Sequence, residues 1–98
     1  MATHVGVARV ELHLAANHSL KGKRMVVKSV VQRVRNRFNV AIAEIDTQDA
    51  WQIATLAIVC VSDDARHCNE MLSKVVDFVE SERLDAEVGE VALELLAL

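Results

Sequence analysis

Between Lys21 and Arg37 the chain carries Lys21, Lys23, Arg24, Lys28, Arg33, Arg35 and Arg37, and no acidic residue. A cationic block of this density suits the neutralisation of a polyanion such as a nucleic-acid backbone. On a helix, Lys21, Arg24, Lys28 and Arg35 fall within about 60° of one another, a stripe fitted to phosphates. Arg33 and Arg37 lie on the other flank of the apolar stripe. Lys23 lies nearer the core edge, where its stem can cover apolar surface. Several of these cations crowd the first helical turn, where the macrodipole disfavours them by roughly 0.3–1 kcal/mol each when exposed. An anion bound between them reverses that sign, and Gly22 beside the free N–H groups of the turn leaves space for one. Lys21, Lys23, Arg24, Lys28 and Arg35 are therefore the candidate phosphate contacts. The competing reading is a solvated helix face, partly neutralised by acids from neighbouring elements.

Other chemistries find less support. Among His4, His13, His18 and His67, only His13 and His67 lie near the ends of regular elements with potential partners. His67 and Cys68 are adjacent, and adjacent helical residues point about 100° apart, which does not make a dyad. A small hydrolase using His13 or His67 would need a pocket where two titratable groups converge. The histidines and cysteines lack the number and short spacing of metal ligands. There is no glycine-rich phosphate loop. No catalytic residue, metal or cofactor is assigned. Base stacking on a sheet needs aromatics on central strands, and only three aromatics are present. Trp51 opens the third strand and reads as a core or edge-packing residue.

These side chains need elements to hold them. Residues 4–14 alternate, with Gly6, Ala8, Val10, Leu12 and Leu14 on one face and Val5, Val7, Arg9, Glu11 and His13 on the other, which predicts a strand. Leu20, Val27, Val31, Val34 and Phe38 recur at helical spacing over 20–38, and Ser19 is the predicted N-cap. Residues 40–45 read as a short strand. Trp51 to Val61 is apolar on both faces and should be central in a sheet. Ser62, Asp63 and Asp64 offer caps for a second helix from Ala65 to Arg83, with Ala65, Cys68, Met71, Leu72, Val75, Phe78 and Val79 on its apolar arc. The opposite arc mixes signs, unlike that of the first helix. Residues 86–96 form a last strand.

The order βαββαβ predicts one α+β domain over residues 1–98: a ferredoxin-like two-layer sandwich, with a four-stranded antiparallel sheet and two helices on one face. The uncovered face, with Val5 and Val7, is the expected homo-oligomer surface.

The chain has 98 residues, 52% of them hydrophobic, and a net charge of −3. Outside the basic block, all 14 acids stand against four cations, an asymmetry that points to a polyanionic partner. No apolar run reaches the roughly 20 residues of a membrane span. Met1-Ala2-Thr3-His4 lacks the charged and apolar regions of a signal peptide, so a cytoplasmic location is expected. Cys60 and Cys68 then read as reduced core residues, with a disulfide between them as the alternative.

The stretches "SLKGKR", "RVRNRFNVAIAEID" and "DAWQIATLAIVCVS" together resemble the bacterial YlxP-like family, a domain-of-unknown-function family. The resemblance runs from about Val5 to Leu95. It implies a ferredoxin-like fold. Genes of the family often neighbour those for translation initiation and ribosome maturation, which implies a role around ribosomal or other structured RNA. It supplies no catalytic residues. Relatives often carry an acidic residue where Gly22 stands, and this chain departs from them there.

Overall fold

The computed structural model describes residues 2–82 and 86–98. Six elements follow in the expected order: β1 (His4–His13), α1 (Leu20–Arg37), β2 (Ala41–Glu44), β3 (Ile53–Ser62), α2 (Ala65–Ser81) and β4 (Glu87–Ala97). The strands form one antiparallel sheet in the order β2-β3-β1-β4. This is a ferredoxin-like α+β fold. Among the described residues, no helix is long and apolar enough to cross a membrane.

The period-two pattern of β1 decides the layering. Ala8, Val10, Leu12 and Leu14 are buried, together with Ala54, Leu56, Ile58 and Cys60 of β3 and Ile42 of β2. Burying these side chains on one face forces both helices to that side. From α2, Cys68, Leu72, Val75, Val76 and Val79 complete the core, so Val76 joins the expected arc. Asp64 caps this helix by accepting from the Arg66 N–H at 2.9 Å. The helix is assigned to Ser81; Arg83, the end expected from the sequence, lies outside the described residues.

The buried stripe of α1 differs from the expected one. Val30 and Val34 are fully buried, Val26, Val27, Val31 and Phe38 pack partly, and the remaining buried residue is Lys23. Lys23, Val27, Val30 and Val34 form the inward arc at spacings of four, three and four. The stripe therefore holds a cation at its N-terminal end. Phe38 closes the helix against Phe78 of α2, with the rings edge to face at 5.6 Å.

Candidate nucleic-acid interface

The start of α1 is built by local hydrogen bonding. Ser19 has extended backbone, and its hydroxyl accepts from the Gly22 N–H at 3.0 Å, the N-cap predicted from the sequence. Asn17 reaches across the same turn. Its amide donates to the Ser19 carbonyl at 2.7 Å and to the Trp51 carbonyl at 2.6 Å. Gln52 returns two bonds, donating to the Ala15 and Asn17 carbonyls at 3.0 and 3.2 Å. The loop before α1 and the loop before β3 are thus stitched together beneath the helix. A Cβ on Gly22 would overlap the Asn17 carboxamide oxygen. Gly22 therefore makes room for Asn17, and the expectation that it admits an anion is corrected. Its N–H is also taken by the cap.

Lys23 requires a second correction. It is fully buried, so it cannot touch a phosphate. Its ammonium donates to Glu44 Oε2 at 2.7 Å and to the Thr47 carbonyl at 2.5 Å, with the Gln48 and Ile53 carbonyls at 3.4 and 3.5 Å. The Thr47 hydroxyl donates to the same Glu44 oxygen at 2.9 Å and accepts from the Thr55 N–H at 2.9 Å. The cation so fixes the loop from β2 to β3. A buried charge is tolerated only with this degree of pairing.

The other six cations of α1 sort by what they touch. Arg33 lies 3.5 Å from Glu82, a loose and half-exposed pair worth little. Arg37 stacks its guanidinium 4.9 Å from the centre of the Phe78 ring. Arg35 is exposed and in the expected arc, but one of its nitrogens donates to the Ile42 carbonyl at 3.1 Å. Lys21, Arg24 and Lys28 are exposed and have no ion-pair partner among the described residues. At 1.5 Å rise per residue they span about 10 Å along one side of the helix. No acidic residue stands between Leu20 and Ala43 to neutralise them.

Trp51 lies in the loop before β3 and is 54% exposed, so it is not a core residue. The Asn17 amide holds its carbonyl beside the first turn of α1. On the open face of the sheet, Val5 and Val7 are half-buried by their neighbours. Val61 and Leu96, the cross-strand partners of Val5, are the more exposed apolar groups there.

The other titratable groups sit apart from the basic stripe. His13 pairs with Glu11 at 2.9 Å on the open face. Cys60 and Cys68 are buried free thiols. Cys68 donates to the His4 carbonyl and Cys60 to the Cys68 carbonyl, each at 3.6 Å. Burial, reinforced by its bond with Cys68, pushes the Cys60 thiol up to about 11. His67 is exposed on α2 while Cys68 faces inward, so the two do not form a dyad.

Residues 5–93 match the family model described as "Protein of unknown function (DUF503)". The chain belongs to the DUF503 family. This DUF503 chain is similar to the uncharacterized protein YlxP of Bacillus subtilis (strain 168), with 39% identity over 77 residues, covering 79% of this chain and 84% of that protein. The resemblance read from the three sequence stretches is thereby shown. Among solved structures, it is similar to LarC2 in its apo form. LarC2 is the C-terminal domain of a cyclometallase involved in the synthesis of the NPN cofactor of lactate racemase. The TM-score is 0.54 at 10% identity, covering 100% of this chain and 58% of that one. The DUF503 chain thus spans little more than half of LarC2, and at that identity the likeness concerns the fold alone.

Proposed function

We propose that this DUF503 protein is a non-enzymatic binder of structured RNA that grips phosphates with the outward side of α1. The observation that carries the reading is the sorting of the cations. Among the described residues four of the seven have a structural partner, and the other three, Lys21, Arg24 and Lys28, share one exposed side without an ion-pair partner. Unpaired like charges on one helix face oppose folding slightly and have a use only when an anion arrives. Arg35, in the same arc, has four further N–H groups to offer once one is on Ile42. Exposed Trp51 beside the first turn adds a ring on which an unpaired base can stack. Contacts of this kind position the protein and carry little sequence information. Ribosomal RNA is the first substrate to test, in keeping with the gene neighbourhood that the resemblance implies.

The test is the triple reversal Lys21→Glu, Arg24→Glu and Lys28→Glu. All three sites are exposed, so the variant should keep its circular dichroism spectrum while losing co-sedimentation with ribosomal subunits. Undiminished co-sedimentation of the folded variant would overturn the reading. Capture from cells that is lost in the variant yet resists ribonuclease would instead show that the basic helix meets an acidic protein surface.

A further inference from the structure

β4 carries a row of apolar side chains on its helix-facing side, with Glu90 and Glu94 on the other, and lies at an edge of the sheet. Val91, Leu93 and Leu95 stand opposite Val10, Ala8 and Gly6, so they face the helix layer. They nevertheless remain 36–46% exposed. Leu96, on the other face beside Val5, is similarly exposed. Half-exposed apolar side chains beside the unpaired N–H and C=O groups of an edge strand recruit another strand. The opposite edge of the sheet is closed to such pairing. β2 has only four residues, and Arg35 occupies its Ile42 carbonyl.

We propose that β4 is the seat of a homodimer: two copies pair their β4 edges antiparallel about a two-fold axis at Leu93, joining both sheets into one of eight strands. This surface does not depend on the RNA reading and is a different one from the middle of the open face.

The strand itself selects the register. Directly opposed residues of an antiparallel pair share a face, so the two-fold axis passes through a residue. An axis at Glu94 sets that acid against itself, and one at Ala92 sets Glu90 against Glu94. An axis at Val91 sets Leu93 against Gly89 and runs into the β-bulge where the β1–β4 register shifts between Val10 and Leu12. The axis at Leu93 sets Leu93 against Leu93, Leu95 against Val91, Glu94 against Ala92 and Glu90 against Leu96. Each half-exposed residue on the helix side then meets another, and no acid faces an acid. With the β2 edge blocked, the partner copy can offer only β4, so the assembly closes as a pair and cannot grow into a fibre.

The paired stretch from Glu90 to Leu96 is about 23 Å long. That is small against standard interfaces, so the dimer is concentration-dependent. Glu87, Glu90 and Glu94 stand on each strand with no cation, so salt should tighten the dimer by screening. Phosphate binding by α1 has the opposite salt dependence, which lets the two proposals fail separately.

Analytical ultracentrifugation of the full chain, from low to high micromolar and at two salt concentrations, tests the dimer. The expected mass rises from 10.8 kDa toward twice that value, and further at the higher salt. Leu93→Arg should stay monomeric with an unchanged circular dichroism spectrum. Val61→Arg, two strands from the seam on the open face, should dimerise like the parent. Should Leu93→Arg unfold, Leu93→Cys gives an independent answer. Opposed Cα atoms lie about 4.5–5.5 Å apart, within disulfide reach, so diamide should cross-link the pair while buried Cys60 and Cys68 stay unreacted. The proposal is overturned by a parent chain that is monomeric throughout. A dimer that survives Leu93→Arg but is lost in Val61→Arg would place the contact on the open face. A monomer that binds an added lysine-rich strand peptide would identify a different occupant of β4.

Discussion

Lys23→Met should destabilise the protein by about 3–5 kcal/mol, the cost of breaking a buried ion pair from one side. The structure sets that magnitude. Lys23 is 0% exposed and its partner Glu44 only 14%, so solvent screens the pair weakly. Methionine nearly fills the volume of the lysine stem, which keeps the cavity contribution small. What remains is a desolvated carboxylate whose one other donor among the described residues is the Thr47 hydroxyl, and a Thr47 carbonyl that has lost its ammonium. For a domain near 100 residues each kcal/mol moves Tm by roughly 4–8 °C, so the melt should fall by at least about 12 °C. Differential scanning calorimetry measures this directly. Adding Glu44→Gln should recover part of the loss, because it removes the uncompensated charge. RNA affinity of the folded variant, measured well below its melt, should be unchanged. A melt within about 3 °C of the parent would refute the reasoning, the expected cost being several times larger. So would a folded Lys23→Met protein that no longer binds RNA.

Two further perturbations test the surroundings of the stripe. Gly22→Ala should destabilise despite a helix-propensity gain of about 1 kcal/mol, because the methyl displaces the Asn17 amide from its two carbonyls. In an Asn17→Ala background the same substitution should stabilise; urea titration of the four proteins reads the sign change. The Cys60 thiol titrates near 11 when folded, against 9.0 when free. As pH rises through 9 the unfolded chain loses its proton first, so stability is flat below that point and falls toward 11. The fall is bounded at about 2–3 kcal/mol, and a Cys60→Ala variant should lack it in melts followed from pH 8 to 11.

The fold was legible because β1 and α2 each carry a clear period, β3 is a continuous apolar run, and the chain order admits one compact solution. The N-cap at Ser19 was legible for the same local reason. Lys23 was not, since a buried and an exposed lysine look alike along a sequence. The available signal was its position one turn before Val27 on the inward arc, together with Glu44 as the only acid of the short second strand. Val30 was missed because α1 has valines on several sides, and only packing decides which go in. The role of Gly22 depended on Asn17, a loop residue whose reach no pattern encodes. Trp51 read as packed because aromatic residues usually are. The exposure of Leu93 and Leu95 could not be foreseen, because alternation fixes a face but not how far a helix extends over it.

The central claim is that Lys21, Arg24 and Lys28 meet phosphates, and the salt dependence of RNA affinity tests it most directly. Three contacts at about −0.7 to −0.9 each predict a log–log slope of about −2 to −3 for a labelled ribosomal RNA fragment. The triple glutamate variant should bind weakly and with a slope no steeper than about −1, the share of Arg35 alone. A parent affinity that does not change with salt, or an equal slope in the parent and the variant, would contradict the account.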